Sequence, residues 1–142
     1  MAATETVATR PSALLQMTQT TPTRLWNDSA DLDELASAIE SGAVGATCNP
    51  VIALTVLKKE LALWRPRIEE LLRERPTATE DEIGWRLVEE VSIRGAKLLE
   101  PWFALHRGRF GRLSIQTDPR FYRDPDRIVE NAVRFSALPS DC

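Results

Sequence analysis

The amino-acid sequence predicts an α/β protein with parallel strands. Short apolar runs alternate with longer segments in which apolar residues recur every three or four positions, and the predicted order is strand, helix, strand, helices, strand, helix. Strands that alternate with helices are joined by right-handed crossovers, which make the strands parallel. Three strands in 142 residues leave two arrangements open, a doubly wound sheet or part of a barrel.

Two strands and one helix are predicted near the start of this α/β segment. Thr23–Ser29 and Val44–Thr47 are short apolar runs typical of strands. Asp31 and Glu34 form the pattern of a capping box, and Gly42 is suited to end the helix that follows it. The apolar stripe of this helix consists of Leu32, Leu35, Ala36 and Ile39.

A long helical stretch follows the second strand. Asn49 suits a helix N-cap and Pro50 the first helical position. The apolar stripe then runs from Leu54 to Leu72, and Pro66 predicts an interruption in it.

The last predicted elements are a long helix, a third strand and a final helix. Thr79 and Glu82 form a second capping-box pattern, and the helix that it opens is predicted to end near Pro101. Leu113–Thr117 is the third strand, and Pro125 begins the last helix.

Composition favours an ordinary globular domain of the cytoplasm. The chain is 43% hydrophobic and 27% charged, and its net charge of −3 includes no long basic run, which argues against nucleic acid or a membrane surface as a partner. No apolar run reaches the ~18 residues of a membrane span, and no secretory signal is evident. Residues 1–20 lack periodicity and predict a disordered extension.

Cysteine and lysine usage limits the available chemistry. Cys48 and Cys142 lie far apart without metal-ligand spacing, so we expect a reduced protein in which Cys48 is buried. Lys58, Lys59 and Lys97 are the only lysines among 18 basic residues. Because arginine stays protonated, any amine nucleophile must be one of these three.

Three polar positions lie where predicted strands end. Asp28 follows the first strand and Asn49 the second, although each residue type is also an ordinary helix-start residue. In the third strand, alternation places Ser114, Gln116 and Asp118 on one face, which indicates a wet interior, a site, or an edge strand with one solvated face. In a barrel, these strand ends would form the active-site face.

Two longer motifs resemble the transaldolase family. The first, in residues 24–52, contains Trp-Asn-Asp-Ser and Gly-Ala-Val-Gly-Ala-Thr-Cys-Asn-Pro; the second, in residues 111–116, is Gly-Arg-Leu-Ser-Ile-Gln. The resemblance runs from about residue 21 to residue 138. It implies a partial (β/α)8 TIM barrel, with roughly the first three strands and their helices, that extends over residues 21–142.

The resemblance also implies an activity and residue roles. The family moves a dihydroxyacetone unit between sugar phosphates in the pentose phosphate pathway, through a lysine Schiff base and without a metal or other cofactor. Asp28 matches the aspartate that accepts the substrate proton, and Asn49 matches the asparagine that binds substrate. Gln116 matches the second catalytic position, where many members have a glutamate that shuttles protons through a water. Related aldolase-type members have glutamine there, so this residue argues for plain aldol cleavage against strict transfer. Ser114, on the same face, is assigned to substrate binding.

The resemblance places the Schiff-base lysine on a strand after the second motif. None of the three lysines is at the matching position, and the strand that carries it should begin near Cys142. We therefore expect an inactive fragment. The alternatives are a half-barrel that self-associates or pairs with another chain through exposed strand edges, a relic of a fructose-6-phosphate aldolase-type enzyme, and a sugar phosphate binder.

Overall fold

One three-stranded parallel sheet organises the chain. A computed structural model describes residues 12–138, with strands β1 (Leu25–Asn27), β2 (Ala43–Cys48) and β3 (Arg112–Ile115) in the spatial order β1-β2-β3. Both strand pairs are parallel. The predicted α/β class with parallel strands is confirmed, and the sheet and its helices are consistent with part of a TIM barrel.

Six α-helices accompany the sheet in the described part of the chain. They are α1 (Ala13–Thr20), α2 (Leu32–Glu40), α3 (Pro50–Lys59), α4 (Leu61–Glu74), α5 (Glu80–Leu105) and α6 (Pro125–Ser136). Helices α2 and α5 lie against the sheet, and α3 and α4 pack on α5. No helix within residues 12–138 is long and apolar enough to cross a membrane.

Helix α1 corrects part of the predicted extension. The disordered segment expected over residues 1–20 is helical from Ala13, because Ser12 caps the helix by accepting a hydrogen bond from Leu15 N at 3.1 Å. The helix also has a tertiary neighbour, since Thr18 packs closely against Gly42. Residues 1–11 lie outside the described part.

Pro66 does not interrupt its helix, and Pro101 does not end its helix, as the sequence predicted. The break between α3 and α4 falls at Glu60, whose carboxylate is held by Arg94 and by Trp64 Nε1, and Pro66 lies inside α4. Pro101 likewise lies inside α5, which continues to Leu105. A proline in a helix interior removes one backbone hydrogen bond, and buried neighbours offset that loss here: Trp64 and Leu71 on either side of Pro66, and Leu99 just before Pro101.

The other predicted helix starts are confirmed. Thr79 and Glu82 form both bonds of a capping box at the start of α5, and Asp124 caps α6 ahead of Pro125. At α2 only half of the predicted box forms. Asp31 accepts from two backbone amides, but its own N–H donates to Ser29 Oγ at 3.1 Å instead of to Glu34.

The core lies on one side of the sheet. Ala46 and Cys48 of β2 are buried against the helices, together with apolar residues of α2, α3, α4 and α5. Alternation turns Gly45 and Thr47 the other way, and the Trp26 ring lies across Gly45, within 3.0 Å of where a Cβ would stand. We call this second side of the sheet the open face. Its residues are Trp26, Asp28, Gly45, Thr47, Arg112, Ser114 and Gln116.

The segment after β3 attaches α6 to α5. A short 3-10 helix, Pro119–Phe121, is followed by α6, whose Arg134 pairs with the buried Glu89 of α5. Phe135 packs on Trp85, with ring centroids 5.9 Å apart. Helix α6 therefore lies on the same side of the sheet as α5.

Candidate active site at the carboxyl edge of the sheet

The parallel strands bring the candidate residues to one edge. Asp28 directly follows β1, Asn49 follows β2 and Gln116 follows β3. Because parallel strands end at the same edge of a sheet, the three side chains belong to one locality. Ser114 lies two residues before Gln116 and shares its face.

Strand register arranges these residues in two rows. Asn27 pairs with Ala46, which sets Asp28 beside Thr47, and Thr47 in turn pairs with Ser114. Gln116 N donates to Cys48 O at 3.0 Å, so the pairing continues one residue further and sets Gln116 beside Asn49. The lower row is Asp28, Thr47 and Ser114; the upper row is Asn49 and Gln116.

Thr47 joins the first two strands at the lower row. Its hydroxyl donates to Asp28 Oδ1 at 2.5 Å, a length typical of a bond from a hydroxyl to a carboxylate. Thr47 was not among the residues predicted from the sequence. The signal for it was present, because Thr47 stands between the apolar Ala46 and Cys48 and alternation sends it to the opposite face.

Asp28 is not used to start α2. That role belongs to Asp31, which accepts hydrogen bonds from Asp33 N and Glu34 N at 3.1 Å each. Ser29 supports the same turn by accepting from Asp31 N. Asp28 therefore remains exposed at the strand end, with Thr47 as its hydrogen-bond partner.

Asn49 has the structural role that its sequence context predicted. Its Oδ1 accepts hydrogen bonds from Val51 N and Ile52 N, both at 2.9 Å, and so caps α3. These two bonds fix the orientation of the carboxamide and occupy its oxygen, so the Nδ2 group is the part of the side chain that can donate to a ligand. Capping thus orients Asn49, and substrate binding by it stays a prediction.

Ser114 and Gln116 are exposed, but Asp118 does not join them. Strand β3 ends at Ile115, and Asp118 turns inward to cap the 3-10 helix and to pair with Arg120. The Arg120 guanidinium holds the pKa of the Asp118 carboxyl below its usual range. The predicted face of three polar residues is therefore reduced to two, because the chain leaves the extended conformation.

None of the three lysines belongs to the open face. Lys59 Nζ donates to Asp31 Oδ2 at 2.5 Å, and this bond raises the pKa of the Lys59 ammonium, which disfavours the neutral amine that imine formation requires. Lys58 is exposed in the last turn of α3, and Lys97 lies on α5 beside a groove that Trp64 also borders.

Other reactive side chains lie away from these rows. Cys48 is 2% exposed, as predicted, and burial raises the pKa of its thiol. His106 is the C-cap of α5, and its ring is stacked on Trp102 at a centroid distance of 5.1 Å. Within residues 12–138, no three His, Cys, Asp or Glu side chains come together as a metal-binding group.

The electrostatic character of the site follows from its composition. Asp28 is the one carboxylate of the two rows, and its neighbours Thr47, Asn49, Ser114 and Gln116 are neutral hydrogen-bonding groups. Such a surface can accept one proton and can orient hydroxyl groups or water, but it offers no amine and no fixed cation.

Comparison with known proteins assigns the chain to a family. Residues 25–140 match the family model described as Transaldolase/Fructose-6-phosphate aldolase, and this range includes all four predicted site residues. No curated protein sequence matches the chain.

Proposed function

Because the chain belongs to the transaldolase/fructose-6-phosphate aldolase family, we propose that the carboxyl edge of its sheet binds the carbon chain of a ketose phosphate. One observation supports this proposal above the others. Strand register sets Asp28, Thr47 and Ser114 in one row, with Asn49 and Gln116 directly beyond. Hydroxyls on successive carbons of a sugar need a similarly spaced set of donors and acceptors.

Each residue has a role that its functional group permits. The Asp28 carboxylate accepts the hydroxyl proton whose loss starts carbon–carbon cleavage, and Thr47 holds that carboxylate in position. Asn49 Nδ2 donates to a substrate oxygen while its Oδ1 caps α3. The Ser114 hydroxyl and the Gln116 amide orient further hydroxyls or a water molecule.

The complete reaction also needs a lysine that forms a Schiff base. We propose that Lys58, Lys59 and Lys97 do not serve, because all three lie on helices and Lys59 is held as an ammonium by Asp31. The 142 residues by themselves would then bind a ketose phosphate without forming an imine and without turnover. With the lysine supplied, the reaction would be the pentose phosphate pathway transfer of a dihydroxyacetone unit, in the cytoplasm.

A second candidate reaction is plain aldol cleavage of fructose 6-phosphate. Gln116 favours it, because a carboxamide cannot ionise and so cannot exchange protons as a glutamate would. In transfer, the enamine left by cleavage adds to an acceptor aldose by the reverse of the cleavage steps. In plain cleavage, the enamine carbon instead takes a proton and water hydrolyses the imine, which releases the product and regenerates the lysine amine; Gln116 can orient such a water through its amide.

The binding claim is tested by calorimetric titration of the 142-residue chain with fructose 6-phosphate. We expect saturable binding that Asp28→Asn weakens by roughly 10-fold or more, since a hydrogen bond to a charged group is worth about 1.5–3 kcal/mol. Asp126→Asn is the matched control, because Asp126 is an exposed carboxylate in the first turn of α6, outside both rows. Absence of binding, or equal losses in both variants, would contradict the assignment.

The amine claim has a separate test. Sodium borohydride added to the chain with fructose 6-phosphate reduces any imine to a stable adduct that peptide mass spectrometry locates. We expect no adduct on Lys58, Lys59 or Lys97. An adduct on any of them would show that the chain supplies its own nucleophile.

A further inference from the structure

The side chain of Asn27 closes a ring around the backbone of Asp28. Asn27 is the last residue of β1, and its Nδ2 donates to Ser29 O at 3.1 Å, so this bond spans the peptide groups on both sides of Asp28. The sheet anchors Asn27, because Asn27 pairs with Ala46 of β2. Asp28 therefore stands at the tip of a closed turn whose base belongs to the sheet.

The place of Asn27 in the strand is unusual for a polar residue. Alternation along β1 puts Trp26 and Asp28 on the open face and turns Asn27 toward the helices, where it is half-buried. That side of a parallel strand is ordinarily apolar. An apolar side chain of the same shape would pack there without the cost of burying a carboxamide. The presence of Asn27 is therefore explained by its bond to the turn and not by the core.

A second anchor holds the far side of the same turn. Ser29 Oγ accepts a hydrogen bond from Asp31 N at 3.1 Å, and Asp31 caps α2. The Asp31 residue is 4% exposed, and its Oδ2 accepts from Lys59 Nζ at 2.5 Å, which ties the turn to the end of α3. Because a buried carboxylate is costly without its cation, Lys59 keeps Asp31 in place, and Asp31 in turn keeps Ser29 in place.

These contacts hold the backbone of Asp28, whereas Thr47 holds its carboxylate. Thr47 donates to Asp28 Oδ1 from β2, and an exposed carboxylate has one orientation only when both its backbone and its oxygen are fixed. We infer that Asn27 and Lys59 are positioning residues for the Asp28 carboxylate. The inference rests on the proposed function, in which Asp28 is the base, and a base must be placed to within a fraction of an ångström of the proton it accepts.

The first test needs no ligand and uses Asn27→Leu, which keeps the shape of the side chain and removes its donor. NMR signals of the Asp28 carboxyl carbon and the Thr47 methyl group should shift, and the Hα–Hβ coupling of Thr47 should change from that of one χ1 rotamer to an average. The midpoint of urea unfolding should equal or exceed that of wild type, because leucine packs against the helices. Asn131→Leu is the matched control, since Asn131 braces the turn after β3 by accepting from Asp118 N at 2.9 Å, and it should leave these signals unchanged.

The second test is the affinity for fructose 6-phosphate. Asn27→Leu should raise the Kd about fivefold, the effect of losing one hydrogen bond, while the stability stays at the wild-type level. A purely structural contact would lower stability instead. Lys59→Met should also raise the Kd, and Lys59→Arg should restore it, because arginine keeps a cation for Asp31. Lys58→Met, at the exposed neighbouring position, should bind as wild type does.

The two tests separate the positioning role from the function on which it rests. Unchanged Asp28 and Thr47 signals in ligand-free Asn27→Leu would overturn the positioning role, whether or not the ligand binds. Shifted signals with an unaltered Kd, or a Lys59→Arg chain that binds as weakly as Lys59→Met, would overturn it as well. Shifted signals in a chain whose wild type binds no fructose 6-phosphate would support the positioning of the carboxylate and reject the proposed substrate.

Discussion

Replacing Thr47 by valine tests whether the bond between β1 and β2 prepares the site. Valine keeps the shape of threonine but removes the hydroxyl that donates to Asp28 Oδ1 at 2.5 Å. A hydrogen bond to a charged group is worth about 1.5–3 kcal/mol when water is excluded. Because Asp28 is exposed and water can replace the hydroxyl, we expect a loss near 1 kcal/mol.

That loss should appear in both stability and ligand binding. Urea unfolding should show the free energy of unfolding lowered by about 1 kcal/mol, and the Kd for fructose 6-phosphate should rise about fivefold, since 1.4 kcal/mol corresponds to a factor of ten. Thr47→Ser keeps the hydroxyl and should restore the affinity. Thr47→Val binding the ligand as tightly as wild type, or Thr47→Ser binding as weakly as Thr47→Val, would contradict a role for this hydrogen bond in the site.

Thr55→Val is the matched control for this substitution. The Thr55 hydroxyl donates to Val51 O at 3.0 Å on an exposed turn of α3, and Thr55 belongs to neither row of the site. We expect its unfolding free energy to stay within about 0.5 kcal/mol of wild type, with an unchanged Kd.

Three further substitutions or conditions test the fold that supports the site. Gly111→Ala should cost roughly 3 kcal/mol or more in urea unfolding, because Gly111 has φ of 77° and a Cβ there would lie 2.2 Å from Phe103 N. Gly84→Ala should instead stabilise by about 0.5–1 kcal/mol, since the added Cβ meets nothing within 4 Å in the second turn of α5. The hydrogen bond from Lys59 lowers the pKa of Asp31, so the stability from this pair is present above pH ~4 and lost as pH falls through the lowered pKa. The free energy of unfolding, measured at a series of acid pH values, should therefore fall less steeply with decreasing pH in Asp31→Asn than in wild type.

The parts of the fold predicted from the sequence depend on local signals. Asn49 and Pro50 marked the start of α3, because capping is decided by a few consecutive residues. The alternation of Leu113 and Ile115 with polar residues identified the third strand and the face of its site residues. Parallel strands then placed Asp28 and Gln116 at a common edge without any knowledge of tertiary contacts.

The parts that the sequence did not predict depend on contacts between distant segments. Pro66 and Pro101 lie inside helices, since the break between α3 and α4 is set instead by Glu60, which Arg94 of α5 holds. Asp118 turned inward because Arg120 offered it a partner. Local pattern rules carry no information about such partners.

For the site residues too, the contacts that the sequence did not predict join distant segments of the chain. Asp28 has a hydrogen bond to Thr47, nineteen positions away in sequence, that only strand register reveals. The pairing of Lys59 with Asp31, which removes one lysine from the set of available amines, likewise joins the end of α3 to the start of α2. Sequence reasoning could enumerate the lysines, but it could not say which carboxylate held one of them.

Mapping where fructose 6-phosphate binds tests the proposed binding edge most directly. Backbone and side-chain NMR spectra of the 15N-labelled chain, recorded during titration, should shift at Asp28, Thr47, Asn49, Ser114 and Gln116. Signals of Lys58 and Lys97 should stay unchanged. Saturable shifts confined to the five site residues would support binding of the sugar phosphate at the carboxyl edge of the sheet without a lysine of this chain. Shifts centred on a lysine-bearing helix, with the carboxyl edge of the sheet unaffected, would contradict it.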